Sequence, residues 1–209
     1  MKSIKNTTQF IGSLCFLMTS SFAYAHPGHG TSISFISGVL HPLNGLDHLL
    51  VILLVGFWSA FVLKQIWIGP LAFLSGMMMG VFAGLLGAPL QFFEFGIAAS
   101  VIGIGALLLT KRQYSTRWVL ALLALFGLFH GFAHAQLFSQ TNLGFTLVVQ
   151  DMAGLVLATG TLHLAGALLV GALKQKTNLF AKGAGIASLI YGLGLVGQLS
   201  LAVIGGTSL

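Results

Sequence analysis

Charge is scarce in this chain of 209 residues. Only 6% of the residues are charged, and aspartate and glutamate together number three. Hydrophobic residues make up 56%, and apolar runs long enough to cross a bilayer as helices recur along the sequence. This composition argues against a soluble globular protein and predicts an all-α integral membrane protein.

Cysteine is almost absent, and the single Cys15 lies in a segment that resembles a signal peptide. Two lysines, a short apolar core and a small-residue site ending at Ala25 are typical of such segments. We predict cleavage of residues 1–25, which leaves no disulfide and no thiolate metal ligand in the mature chain. The alternative is an uncleaved additional helix, and in both cases His26 lies outside the cytoplasm.

The sequence also lacks a Gly-x4-Gly-Lys-Ser/Thr phosphate loop and any long connection that could form a soluble domain. It therefore has no ATP-binding motif of that kind. We predict one transporter domain over residues 26–209, a six-transmembrane-helix bundle. Hydropathy places its spans at about 33–63, 66–88, 91–110, 117–137, 144–173 and 181–204.

Basic residues mark the orientation of this bundle. With the mature N-terminus outside, the odd connections face the cytoplasm, and all seven basic residues of the mature chain fall there. We therefore expect a multi-pass protein of the bacterial cytoplasmic (inner) membrane, whose net charge of +6 reflects orientation and not nucleic-acid binding. The seven residues are Lys64, Lys111, Arg112, Arg117, Lys174, Lys176 and Lys182.

Glycine is abundant, with 28 residues, and this fits a membrane bundle because small residues let helices approach closely. Gly76, Gly80 and Gly84 are four residues apart and predict one such packing face on the second span.

The ionisable residues of the spans are concentrated at one depth. A rise of ~1.5 Å per residue places most of them roughly 20 to 25 Å outward of the cytoplasmic basic layer, with Asp151 ~34 Å and His163 ~16 Å outward. Ionisable groups in the bilayer are costly and normally face one another or a wet cavity, so a bound cation is the economical explanation. The set comprises Asp47, His48, Glu94, His130, His134 and Asp151, which includes every acidic residue of the chain.

Spacing supports a shared site. His130 and His134 are four residues apart and project from one face of a helix, where they could chelate one ion. His41 and His48 are seven apart, which also aligns them on a continuous helix.

The first span, however, contains two poor helix-interior residues, Pro42 and Gly45. A break there would free backbone carbonyls as further ligands. Asp47 could either bind the ion or orient the neighbouring imidazole. Imidazole with carboxylate and no thiolate suits a borderline divalent ion such as nickel, cobalt or zinc.

Two motifs resemble the signatures of the HupE/UreJ family of bacterial nickel and cobalt permeases. His41-Pro-Leu-Asn-Gly-Leu-Asp47-His48 matches His-x5-Asp-His, and Phe129-His-Gly-Phe-Ala-His134 matches most of Phe-His-Gly-x-Ala-His-Gly-x-Glu. The resemblance implies import of nickel or cobalt as the transported substrate, with no prosthetic group. It assigns the motif roles to His41, Asp47, His48, His130 and His134.

The second motif is incomplete, because Leu137 stands where the family has glutamate. The missing negative charge would have to come from Glu94 or Asp151. Glu94 could alternatively cap the outer end of the third span, where the helix dipole favours an acid.

Three further histidines have two interpretations each. His26 and His29 could capture a metal ion before it enters the bundle, or they belong to a solvated N-terminus. His163 is either a second station on the way in or a hydrogen-bonded packing residue.

Other functions remain open at this point. Facing histidines could bind haem, an intramembrane metalloenzyme could use the same residue types, and a sensor could bind the metal without transporting it. Spans one and four each begin a three-helix half and run in opposite directions, so we also consider a 3+3 inverted repeat. The sequence predicts a bilayer and a divalent cation as partners, and it leaves the oligomeric state open.

Overall fold

A computed structural model describes residues 33–88, 92–110, 114–139 and 144–206. These residues form an all-α membrane bundle and contain no strand. The helices are α1 (Phe35–Asn44), α2 (Leu46–Trp58), α3 (Ile68–Leu85), α4 (Phe93–Leu109), α5 (Thr116–Ser139), α6 (Phe145–Leu173) and α7 (Thr177–Ile204). The predicted signal peptide, His26 and His29 lie outside the described residues.

The first predicted span is interrupted. Helix α1 ends at Asn44, Gly45 is extended at φ −117° and ψ 124°, and α2 begins at Leu46. Pro42 lies inside α1, so the break falls only at the glycine. Helix α2 continues into a π-helix, Ser59–Leu63, and Lys64 ends it in the left-handed conformation.

Length and composition allow these helices to cross a bilayer. Apolar helical stretches cover Leu46–Leu63, Ile68–Leu85, Thr116–Phe138 and Phe145–Ile204, and α4 is a shorter apolar helix. The last stretch has 60 residues, far more than the ~20 that span a bilayer. It is divided between α6 and α7 by a 3-10 turn at Lys174–Lys176.

Glycines bring α3 and α5 into backbone contact, as the sequence predicted for Gly76 and Gly80. A Cβ atom at Gly76 would overlap the Ala124 carbonyl oxygen, and one at Gly80 would overlap that of Leu128. Glycines of α5 approach α3 in the same way, with Gly127 against the Phe73 carbonyl. Alanine has no room at these positions, so the small residues fix the distance between the two helices.

Helix α6 packs along both parts of the first span through glycines that lie against backbone carbonyls of the neighbouring helix. Gly38 of α1 lies against the Asp151 carbonyl, and Gly56 of α2 lies against the carbonyl of His163. In return, Gly154 and Gly166 of α6 lie against backbone atoms of α1 and α2. Because α6 contacts both α1 and α2, it holds the two helices together across the break at Gly45.

The third close pair is α4 with α7. The three main pairings therefore join spans two and four, one and five, and three and six. If spans one, two and three are exchanged with spans four, five and six, respectively, the same three pairs are obtained. The pattern fits the predicted 3+3 inverted repeat, which stays a prediction.

Candidate metal centre

The break in the first span brings His41 and His48 together. His41 lies in the last turn of α1, and His48 lies in the first turn of α2. Their ring centroids are 5.8 Å apart, with an interplanar angle of 77°. The first span is therefore not a continuous helix. It breaks at Gly45, as Pro42 and Gly45 had indicated, and the extended glycine brings the two histidine rings together.

Helix α5 adds the two histidines of the second motif. The ring of His134 is 4.5 Å from that of His41, and the ring of His130 is 4.7 Å from that of His48. One ligand nitrogen from each of His41, His48 and His134 lies within 4.8 Å of the others. These three nitrogens could hold one metal ion after small rotamer adjustments, since histidine nitrogen binds zinc-like ions at ~2.0 to 2.1 Å. We call His41, His48, His130 and His134 the outer histidine cluster.

Asp47 fixes the orientation of His48. Its Oδ1 atom is 3.0 Å from Nδ1 of His48 and also accepts the backbone N–H of His48 at 2.8 Å. A carboxylate only accepts, so Nδ1 carries the proton and Nε2 retains the lone pair. The Nε2 atom is buried and has no hydrogen-bond partner in the described part of the chain. The contact with Asp47 therefore leaves Nε2 of His48 available to a metal ion, and that Asp47 also binds the ion stays a prediction.

His130 is held by a similar contact with the backbone. Its Nδ1 atom donates to the carbonyl oxygen of Phe126 at 2.9 Å, one turn earlier in α5. The lone pair is therefore on Nε2, which is buried and unpartnered within the residues that the structure covers. The Nδ1 atom of His134 is likewise buried without such a partner. Buried polar atoms without partners are costly, and a bound cation could satisfy such atoms, although His130 is not one of the three histidines whose ligand atoms converge.

Comparison with known proteins identifies the family of the chain. The family model described as HupE / UreJ protein matches residues 14–195. The chain belongs to the HupE/UreJ family. Protein HupE from Rhizobium leguminosarum bv. viciae is 34% identical over 169 residues, which cover 79% of this chain and 83% of that relative. No solved structure matches this chain.

Not every predicted site residue of this HupE/UreJ protein reaches the cluster. Asp151 is 3% exposed and accepts a hydrogen bond of 2.6 Å from the hydroxyl of Ser37. It therefore joins α6 to α1 instead of belonging to the three-histidine group. Glu94 lies half-buried in the first turn of α4, and Leu137 lies half-buried three residues beyond His134. That Asp151 or Glu94 binds the ion stays a prediction.

His163 is not one of the three histidines whose ligand atoms converge, and its ring contacts Phe73. The centroid of Phe73 is 5.2 Å from that of His130 and 5.4 Å from that of His163. Phe73 is fully buried in α3 and thus contacts both His163 and one member of the outer histidine cluster. His26 and His29 fall in the part of the chain that is not described.

Sequence reasoning missed three residues that contact the predicted site residues of this HupE/UreJ protein. Ser37 and Phe73 carry no signal in a single sequence, since serine and phenylalanine are common in membrane helices. The Phe126 carbonyl had a usable signal, because a backbone oxygen four residues before a helical histidine lies within reach of its ring. None of the three carries charge, so none stands out among the ionisable residues of the spans.

Proposed function

We propose that this protein is a secondary permease that imports a divalent transition-metal cation, nickel or cobalt, across the bacterial cytoplasmic membrane. The observation that carries the proposal is the convergence of three histidine ligand atoms within 4.8 Å, inside membrane helices. A neutral imidazole nitrogen is a good ligand for nickel, cobalt and zinc. The motifs that supply these residues are those that resemble the family of nickel and cobalt permeases.

The orientation of the chain supports inward passage. The basic connections mark the cytoplasmic side, so the outer histidine cluster lies in the outer half of the membrane, where an arriving cation would meet it first. A divalent cation that moves inward gains about 4.6 kcal/mol per 100 mV of membrane potential, twice the single-charge value. Voltage alone could therefore drive uptake without an ATP-binding motif in this chain.

One negative charge at the entrance assists the cation. Asp47 is 25% exposed and its side chain contacts His48 directly, so it attracts the ion while holding the imidazole in place. Its position in the first turn of α2 also suits an acid, because the helix dipole is positive there. Three neutral imidazoles with one nearby carboxylate leave the bound ion with net positive charge, which favours release over permanent retention.

The test is accumulation of radioactive nickel in cells that express the wild type, His48→Ala or His134→Ala, with cobalt and zinc as competitors. The matched control is Ser75→Ala, because the Ser75 side chain is exposed and bonds only its own helix, at the Ala72 carbonyl. Immunoblots of the membrane fraction establish equal amounts of protein.

We expect nickel uptake in the wild type and the control, and loss of uptake in both histidine variants. The loss should exceed the roughly 100-fold that removal of a ligand-orienting partner can cause. Nickel binding without uptake in the wild type would indicate a sensor or storage protein. Normal uptake in both histidine variants would exclude the proposed site.

A further inference from the structure

Helix α6 buries two polar side chains that the outer histidine cluster does not use. His163 is 0% exposed, and neither ring nitrogen makes a hydrogen bond within the described residues. The Thr159 carbonyl, one turn earlier in α6, is close enough to act as a weak acceptor for one ring N–H. The Thr159 side chain is also 0% exposed, and its hydroxyl has no partner among the same residues. Such groups are costly to bury in a bilayer unless something satisfies them.

These two side chains share one face of the helix. They are four residues apart, so they lie one above the other. A neutral imidazole has one nitrogen with a lone pair, and this nitrogen and the hydroxyl oxygen are the atoms that could be presented to one small ligand. A cation would accept lone pairs from both side chains, which a packing role leaves unused.

Backbone packing holds His163 in place. The Cα atom of Gly56 lies against the His163 carbonyl, and Gly166, three residues later, lies against the Leu53 carbonyl. Helix α6 is therefore packed closely against α2 at this level. The His163 ring contacts Phe73, which also contacts His130.

We propose that His163 and Thr159 form an inner station for the cation that the outer histidine cluster receives. This inference rests on the proposed function. A single imidazole with a hydroxyl offers fewer and weaker ligands than the three converging imidazoles outside. Conduction requires sites that bind strongly enough for entry and weakly enough for exit, and a weaker second site meets the second condition. Phe73 contacts one histidine of each site, so the rotamer of this ring is placed to influence passage between them.

The experiment compares His163→Leu, Thr159→Val and Thr161→Val in the full-length protein. Leucine and valine preserve apolar packing but remove the lone pairs. Thr161 is the matched control, because it lies on the same helix, is exposed, and bonds the Leu157 carbonyl at 2.8 Å. For each variant, the initial rate of radioactive Ni²⁺ uptake is measured in proteoliposomes, and the affinity for Ni²⁺ is measured on purified protein.

We expect His163→Leu to lower the uptake rate by about tenfold or more, the change that corresponds to loss of one interaction of ~1.4 kcal/mol. Its affinity for Ni²⁺ should remain that of the wild type, because the outer cluster is intact. Thr159→Val should lower the rate by a smaller factor, and Thr161→Val should leave it unchanged.

Two results would overturn the inner station. Wild-type uptake by His163→Leu would show that His163 only packs, and equal loss of affinity and uptake would show that it supports the outer cluster. If His163→Leu does not reach the membrane, His163→Gln keeps a polar side chain of similar size and should show the same loss of rate. Failure of the proposed function is distinct, since the wild type would then not transport Ni²⁺ at all.

Discussion

The outer histidine cluster and the inner pair of His163 and Thr159 both bury imidazole in membrane helices, but they hold it differently. In the outer cluster, His48 and His130 each donate from Nδ1 to a fixed acceptor. Within the described residues His163 has only a weak acceptor, the Thr159 carbonyl one turn earlier, and its ring packs against Phe73. The comparison teaches that burial alone does not prepare a ligand. A second contact is needed to fix which nitrogen faces the ion.

The two regions also differ in the helices that build them. The outer cluster draws on the end of α1, the start of α2 and the outer part of α5, and it requires the break at Gly45. The inner pair belongs to the unbroken helix α6. A broken helix lets two residues of one span approach from different directions, whereas a continuous helix presents only a row of side chains. Strong binding is therefore expected where the span is broken.

The largest loss of Ni²⁺ affinity is expected when the contact that orients His48 is removed. We expect Asp47→Ala to reduce the affinity for Ni²⁺ by about 10- to 100-fold, the usual cost of losing a partner of a metal-binding histidine. Asp47→Asn retains an oxygen acceptor, so it should lose less. Isothermal titration of purified protein gives both values. Equal losses in the two variants would show that charge matters and orientation does not.

Much of the fold followed from the sequence. Composition predicted an all-α membrane bundle, the Gly76 and Gly80 spacing predicted the face that packs on α5, and Pro42 with Gly45 indicated a weak point in the first span. These features are local, so one sequence suffices to recognise them. Pro42 lies in the last turn of α1, where its missing N–H removes only one helical hydrogen bond, and the chain leaves the helix at Gly45.

The composition of the site was harder to predict. Counting residues gives the height of a side chain in the membrane, but not its direction around the bundle. Asp47 and Asp151 both lie in the outer half by that count, yet Asp47 contacts His48 and Asp151 contacts Ser37. Direction depends on which helices pair, and this is a long-range property that a single sequence does not display.

The glycine at the break offers a finer test of orientation. A Cβ atom at Gly45 would lie 2.6 Å from Oδ1 of Asp47 and 3.2 Å from Nδ1 of His48. The backbone angles of Gly45 suit any residue, so Gly45→Ala should fold and displace only the carboxylate. We expect a loss of Ni²⁺ affinity of about tenfold, at the lower end of the range for an orienting contact.

Gly160→Ala is the matched control for this substitution. A Cβ atom at Gly160 would meet nothing within 4 Å, and the residue lies inside helix α6. Alanine there should stabilise the helix by up to ~1 kcal/mol without changing affinity. The interpretation of Gly45 would be wrong if both alanine variants bound Ni²⁺ as tightly as the wild type does.

The smallest effect is expected at the contact between Ser37 and Asp151, which tests whether this carboxylate belongs to the metal site. Ser37→Ala removes a hydrogen bond of 2.6 Å between α1 and α6, and also the hydrogen bonds of its hydroxyl with Ser34 that cap α1. In membrane proteins an interhelical bond contributes ~0.6 kcal/mol on average and up to ~1.7. We expect a loss of stability of at least that size in detergent unfolding, because the cap is lost as well, and unchanged Ni²⁺ affinity.

Ser200→Ala is the control for Ser37→Ala, since the Ser200 hydroxyl bonds only the Val196 carbonyl of its own helix. It should change neither stability nor affinity. Asp151→Asn completes the test, because it keeps an acceptor for Ser37 and removes the charge. If Asp151→Asn lowered Ni²⁺ affinity as much as Asp47→Ala does, Asp151 would supply the negative charge absent at Leu137. The cation would then be held by α6 as well as by the outer histidine cluster. The outer cluster and helix α6 would in that case share one metal site.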